Sequence, residues 1–151
     1  MHPLLFVPIL CLAPHQGQPL PPQSIQALRD ALDDERKAEA LYQAILKRHG
    51  EVRPFSNIVR AEGRHQQAII CLFEAYGIQV PPNSLAMKPP VAPATLAEAV
   101  QVSIRAEEDN IALYDRWLTV VKEADIRSTF ERLRWASQER HLPALKRHAG
   151  S

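Results

Sequence analysis

Buried-type positions recur in alternating steps of three and four along most of this chain. The first stretch passes through Ile25, Leu28, Leu32, Glu35, Glu39, Tyr42 and Leu46. The second passes through Phe55, Ile58, Glu62, His65, Ile69, Leu72 and Tyr76. The third passes through Val100, Ile104, Glu107, Ile111, Tyr114, Leu118 and Val121. This spacing is the seam of a helix packed in a bundle. A fourth stretch, from Ile126 to about His148, is less regular, with Phe130, Leu133, Ser137 and His141 facing roughly one way.

The ends of these stretches carry physical markers. Ser24 is placed to cap the first helix, Gly50 to end it, and Pro54 to sit in the first turn of the second. Gly77 follows the second helix, and Pro81-Pro82 forbid its continuation. Thr95-x-x-Glu98 has the form of a capping box for the third helix, and Asp125 or Ser128 can open the fourth. Residues 78–94 then form a Pro-rich crossover between two helical hairpins. The fold predicted is all-α, an antiparallel four-helix bundle.

The two hairpins resemble each other. Helix one reads Glu35-Arg-Lys-Ala-Glu-Ala-Leu-Tyr42, and helix three reads Glu107-Glu-Asp-Asn-Ile-Ala-Leu-Tyr114. Each has a Glu seven residues before a Tyr. His65 and His141 follow these Glu residues at similar distances in the next helix. A duplicated helix pair, related by an approximate two-fold axis, accounts for the pattern.

Composition narrows the field. The chain has 151 residues, enough for one domain. Its 18 Lys+Arg against 17 Asp+Glu leave a formal charge of +1, so no global field draws in nucleic acid or an anionic membrane. Most of the 13 prolines lie before residue 23 or between 81 and 93, outside the helical stretches. The longest apolar run, Leu4 to Ala13, is far short of a membrane span. Two readings of residues 1–23 stand open. They form a secretory leader, giving an exported or periplasmic protein, or a disordered extension of a cytoplasmic one. In both, the folded domain is 24–148. Cys11 and Cys71 are too few for a disulfide framework, and Cys71 reads as a small buried hydrophobe.

The informative residues are the charged ones in the seams. Glu35, Glu62, His65 and Glu107 stand where apolar residues flank them one turn away on each side. A carboxylate taken out of water without a partner is costly, and three aimed at one core would repel. A di- or trivalent cation among them removes that penalty. Glu62-x-x-His65 puts both side chains on one helical face, as in four-helix carboxylate metal sites. The competing reading is a buried ion-pair network in which Arg60, Arg64, Arg105 or Arg134 neutralises the carboxylates.

These residues, together with Phe55, Asn57, Ile58, Leu72, Tyr76, Ile78, Pro81, Glu108, Ile111, Ser137, His141, Leu142 and Ala144, resemble the ferritin-like superfamily. Within it, the chain resembles the family called domain of unknown function 2202, over residues 24–146. The resemblance implies an up-down four-helix bundle with an iron site. It implies Glu35 and Glu107 as the carboxylates of helices one and three, Glu62 and His65 as ligands from helix two, and His141 as the imidazole of helix four.

A full di-iron site of that superfamily would carry Glu three residues before His141, where this chain has Gln138. Gln138 offers a neutral carbonyl oxygen. Glu139, about 100° further round the helix, should point away. One ion, two ions or none therefore stay open, with iron or manganese as the metal and dioxygen or peroxide as the reactant of an oxidoreductase. Pro143 lacks the N–H that the carbonyl of Glu139 needs and is expected to disturb the helix beside His141.

Two other functional classes compete with this one. One is a metal-free structural or interaction module with a degenerate site. The other is an exported stress-related protein without catalysis. Tyr42 and Tyr114 read as core residues or as hydrogen-bond partners of the ligands. A mixed-charge face on helix four, with Arg127, Arg132, Arg134, Arg140, Lys146 and Arg147, reads as solvated surface, with no nucleic-acid partner expected.

Overall fold

A computed structural model describes Cys11 and residues 19–150. Most of the 1–23 segment, with His2 and His15, lies outside the described residues. The elements are α1 (Pro22–His49), α2 (Phe55–Ala75), a 3-10 turn (Ser84–Ala86), α3 (Leu96–Leu118), α4 (Ala124–Ala136), a π turn (Ser137–His141) and α5 (Leu142–Ala149). Ala136, Ser137, His141 and Leu142 all keep right-handed helical angles, so α4, the π turn and α5 form one continuous fourth rod. The arrangement is an all-α four-helix bundle, with no strand among the described residues. No helix among them is long and apolar enough to cross a membrane.

Local chemistry sets the ends. Gly50, at φ 86°, closes α1 by donating its N–H to the Leu46 carbonyl. The capping box is formed: Thr95 Oγ1 accepts from the Glu98 N–H at 3.1 Å, and Glu98 Oε2 accepts from the Thr95 N–H at 3.3 Å. Ser24 is not the cap of α1. The helix starts earlier, with Pro22 at its first position, and the buried Ser24 hydroxyl donates to Glu123 Oε2 at 2.8 Å. That bond ties the start of α1 to the residue just before α4.

The core divides into two apolar clusters. One gathers Leu28, Leu32, Ile69, Leu72, Phe73, Tyr114, Ile126, Phe130 and Leu133. The other gathers Tyr42, Ile45, Phe55, Ile58, Val100 and Leu145. Each rod contributes to both, and each crosses from one to the other through polar seam residues. Leu20 is also buried in the first cluster, so the packed structure extends upstream of residue 24.

The crossover runs from one cluster to the other along α1. Ile78 and Val80 pack against the first cluster and Ala92 is buried in the second. Three α1 side chains fasten it: Arg36 to the Pro81 carbonyl, Arg48 to the Ala92 carbonyl and His49 to the Pro93 carbonyl. His49 is thus a strap contact. Cys71 is buried, but it is not a free thiol: it is disulfide-bonded to Cys11 across 60 residues. The reading of Cys71 as a lone hydrophobe failed because its partner lies outside the helical pattern.

Candidate metal centre

Between the two apolar clusters lies a layer of five titratable side chains. Glu35, Glu62 and Glu107 are 1–2% exposed, His65 9% and His141 5%. They form two overlapping trios, Glu35–Glu62–His65 and Glu62–Glu107–His141. Within each trio the candidate ligand atoms lie within 4.8 Å of one another. Glu62 belongs to both.

The imidazoles face inward through Nδ1. His65 Nδ1 is 3.4 Å from Glu35 Oε2 and 3.5 Å from Glu62 Oε2. His141 Nδ1 is 3.3 Å from Glu62 Oε1 and 3.4 Å from Glu107 Oε1. The two rings stack with centroids 5.5 Å apart. These separations exceed ordinary hydrogen bonds. Glu35 Oε2, Glu62 Oε2, His65 Nδ1 and His141 Nδ1 are fully buried with no hydrogen-bond partner. Such orphans are rare in folded proteins, and here four lie in one layer.

The outer sides of the carboxylates are well supported. Tyr114 donates its hydroxyl to Glu35 Oε1 at 2.6 Å, and Tyr42 donates to Glu107 Oε1 at 2.7 Å. Asn110 donates to Glu35 Oε1 at 3.3 Å and to Asp34 Oδ2 at 2.7 Å, and accepts from the Ser137 hydroxyl at 2.7 Å. The Gln66 amide approaches the Glu35 carbonyl at 3.5 Å.

Burial, and then the charge of Glu62, pushes the Glu35 carboxyl up to about 7. Burial would raise Glu62 as well. The adjoining Glu35, His141 and His65 groups outweigh it and hold Glu62 below its ordinary value. Burial would lower both imidazoles, but the carboxylates overcome it. Glu35 and Glu62 carry His65 up to about 9, and Glu107 and Glu62 carry His141 up to about 10. Burial, and then the adjoining carboxylates, hold the Tyr42 and Tyr114 hydroxyls well above their ordinary value, so both stay protonated donors. Without metal, protons on the imidazoles offset the carboxylate charge. A cation bound here would take their place.

Five of the six residues read from the sequence meet at this centre. Gln138 does not: it is exposed, as is Glu139. The cause is the π turn. The Leu142 N–H reaches back to the Ser137 carbonyl, five residues away, so one extra residue enters that turn. Ser137 and His141, four apart, are then both buried, and position 138 turns outward. Pro143 lies just beyond the widened turn and leaves the Glu139 carbonyl without its usual donor. Where a fourth-helix carboxylate was expected, the inner face presents the Ser137–Asn110 pair. The arginine network is also absent. Arg60, Arg64 and Arg105 are exposed, and Arg134 pairs with Asp115. Sequence reasoning missed Asn110 and Ser103, both buried on α3. Their spacing of three after and four before Glu107 places them on its face.

No protein-family model matches this chain, and no curated protein does. Among solved structures it is similar to hypothetical protein MJ0754 from Methanococcus jannaschii, with a TM-score of 0.77 and 22% identity. That match covers 89% of this chain and 83% of the other. The likeness is one of fold.

Proposed function

We propose that this chain is a ferritin-like protein that binds iron or manganese between its helices and supports oxidoreductase chemistry with dioxygen or peroxide. The observation that carries the reading is a buried layer without arginine in which two acidic and two imidazole side chains, Glu35, Glu62, His65 and His141, each leave one ligand atom orphaned, with Glu107 beside them. Carboxylate oxygen with imidazole nitrogen suits iron and manganese. Glu35 and His65 would hold one ion, Glu107 and His141 a second, and Glu62 serves both. A bound iron would supply electron transfer to an oxygen-based oxidant. The protein itself orients the carboxylates through Tyr42, Tyr114 and Asn110 and packs an apolar cluster on each side of the layer. The resemblance to the domain of unknown function 2202 family supports the same reading. The arginines that would favour a metal-free module stand outside the layer, while the missing glutamate at position 138 that motivates it is unchanged.

The test is elemental analysis of untagged protein after anaerobic reconstitution with ferrous iron. Two ions per chain are expected. One would restrict the reading to a mononuclear centre, and none with the helical fold intact would overturn it.

The Cys11–Cys71 bond supports residence in an oxidising compartment, where disulfides persist. A chain cut between residues 16 and 23 would lose that bond. Export with Cys11 retained is therefore the proposal for location. Intact mass of the protein from its native source, with and without reductant, tests it.

A further inference from the structure

We propose that the groove between α2 and the fourth rod is a binding site for a small oxyanion, set against the outer edges of the two histidines. The groove encloses about 760 Å³ and opens to solvent. His65 and His141 form part of its wall, and Arg64, Arg132 and Arg140 line it with Trp135. Ala61 and Ala68 keep it open on the α2 side.

Charge favours an anion. None of the three arginines is in an ion pair among the described residues. Arg132 touches the Thr129 hydroxyl at 3.4 Å, and Arg140 lies 5.2 Å from the centroid of the Trp135 ring. Glu131, the carboxylate on this rim, faces Arg127 at 3.7 Å. Three guanidiniums around one opening disfavour a cation there. The same forks match the geometry of a carboxylate or phosphate.

The histidines add a second, independent requirement. Their Nδ1 atoms point at the carboxylates of the centre. With Nδ1 turned to the centre, Nε2 is the ring nitrogen left to meet a partner on the groove side. Among the described residues, neither Nε2 atom has a hydrogen-bond partner. An oxyanion in the groove would accept from the imidazole edge while the arginines balance its charge. Trp135, 51% exposed despite its size, gives the site an apolar wall. The site needs the side chains alone and holds whether or not metal is bound.

The experiment is a titration of metal-free, full-length protein with inorganic phosphate at constant ionic strength, followed through the indole N–H resonances. The chain has two tryptophans. Trp117 donates to Asp30 at 3.1 Å outside the groove and serves as the internal control. A saturable shift of the Trp135 resonance is expected, with Trp117 unmoved. Arg64→Gln and Arg140→Gln should each weaken binding about tenfold, the loss of one charge-assisted hydrogen bond. Arg105→Gln, outside the groove, should leave binding unchanged. Arg64 is exposed, so its variant tests the site without risk to the core. Acetate is titrated in parallel. Saturation by either anion supports the site, and the tighter of the two names a phosphate or a carboxylate ligand. Saturation by neither, or parent-like binding in both groove variants, would overturn the proposal and leave the metal reading untouched.

Discussion

Tyr114 of α3 donates to Glu35 of α1 at 2.6 Å, across 79 residues of sequence. Tyr42 of α1 returns the same bond to Glu107 of α3 at 2.7 Å. Each tyrosine follows the glutamate of its own helix by seven residues, yet each serves the glutamate of the other. In antiparallel helices of like sequence, two turns along one helix bring a side chain level with the partner's equivalent residue. The repeated Glu-to-Tyr spacing is thus the sequence trace of a reciprocal clamp.

Tyr114→Phe removes the shortest hydrogen bond on Glu35 and leaves Oε1 with Asn110 alone. A stability loss of about 1–3 kcal/mol is expected, the cost of an unmet buried acceptor. Metal retention should weaken about 10–100-fold, as for other groups that orient a ligand. Tyr42→Phe should act in the same direction through Glu107. Urea midpoints of the metal-free protein and competition with a chelator read the two effects separately. Unchanged retention in both variants would show the tyrosines to be packing residues only.

Glu62 is shared by both trios, and Glu35 and Glu107 belong to one each. Glu62→Gln should therefore lower metal content more than Glu35→Gln or Glu107→Gln. Its effect on the metal-free form is also fixed in sign. Glu62 is held ionised by its neighbours, so neutralising it strips both imidazoles of a counter-charge. The metal-free variant should be less stable than the parent, by about 1–3 kcal/mol. Elemental analysis and thermal melting decide both points. Equal metal content in the three variants would remove the shared role.

The metal-free centre should weaken as pH rises. His65 and His141 are raised to about 9 and about 10 in the folded chain, against about 6.5 unfolded. A raised folded value means that the native state holds the proton more tightly. The stabilisation is complete below about 6.5 and is lost as pH climbs through 9 and 10. Glu35, raised to about 7, has the same sign between its unfolded value and 7. Glu62 has the opposite sign, and its stabilisation is lost only in acid. Melting temperatures in chelator should fall between pH 7 and pH 10, and His141→Ala should flatten that slope. Because metal displaces these protons, the gain in melting temperature on adding metal should grow over the same range.

Much of this arrangement is legible in the sequence because its information is periodic. Glu35, Glu62, His65 and Glu107 stand out as polar residues at apolar positions, and a regular helix places them without further knowledge. His141 follows from the duplication. Gln138 departs from the regular pattern for a specific reason. A regular helix turns position 138 toward the seam, and the extra residue of the widened turn rotates it by about 100°, out of the seam. Pro143 marked that disturbance without telling its form. Asn110 escapes the pattern because Ile111 beside it fits the apolar step, although Ile111 is only half-buried and Asn110 is 4% exposed. The Cys11–Cys71 bond joins a segment without pattern to a patterned one, and periodicity cannot report such a pairing.

The widened turn yields a sharp contrast between neighbours. Gln138→Glu would restore the expected motif on paper, three residues before His141. Its side chain is exposed, so the substitution should change stability by no more than about ±0.5 kcal/mol and leave metal content as in the parent. Ser137→Glu differs from it by one position. Ser137 is 1% exposed and bonded to Asn110, which itself serves Glu35. A carboxylate there enters the acidic layer, so the metal-free form should melt lower. Metal should recover part of that loss, because a fourth anionic oxygen then faces the cation. Parallel melting curves of the two variants, with and without manganese, decide the register of the fourth helix. A metal-dependent gain in Gln138→Glu and none in Ser137→Glu would mean that the helix runs through this turn without the extra residue.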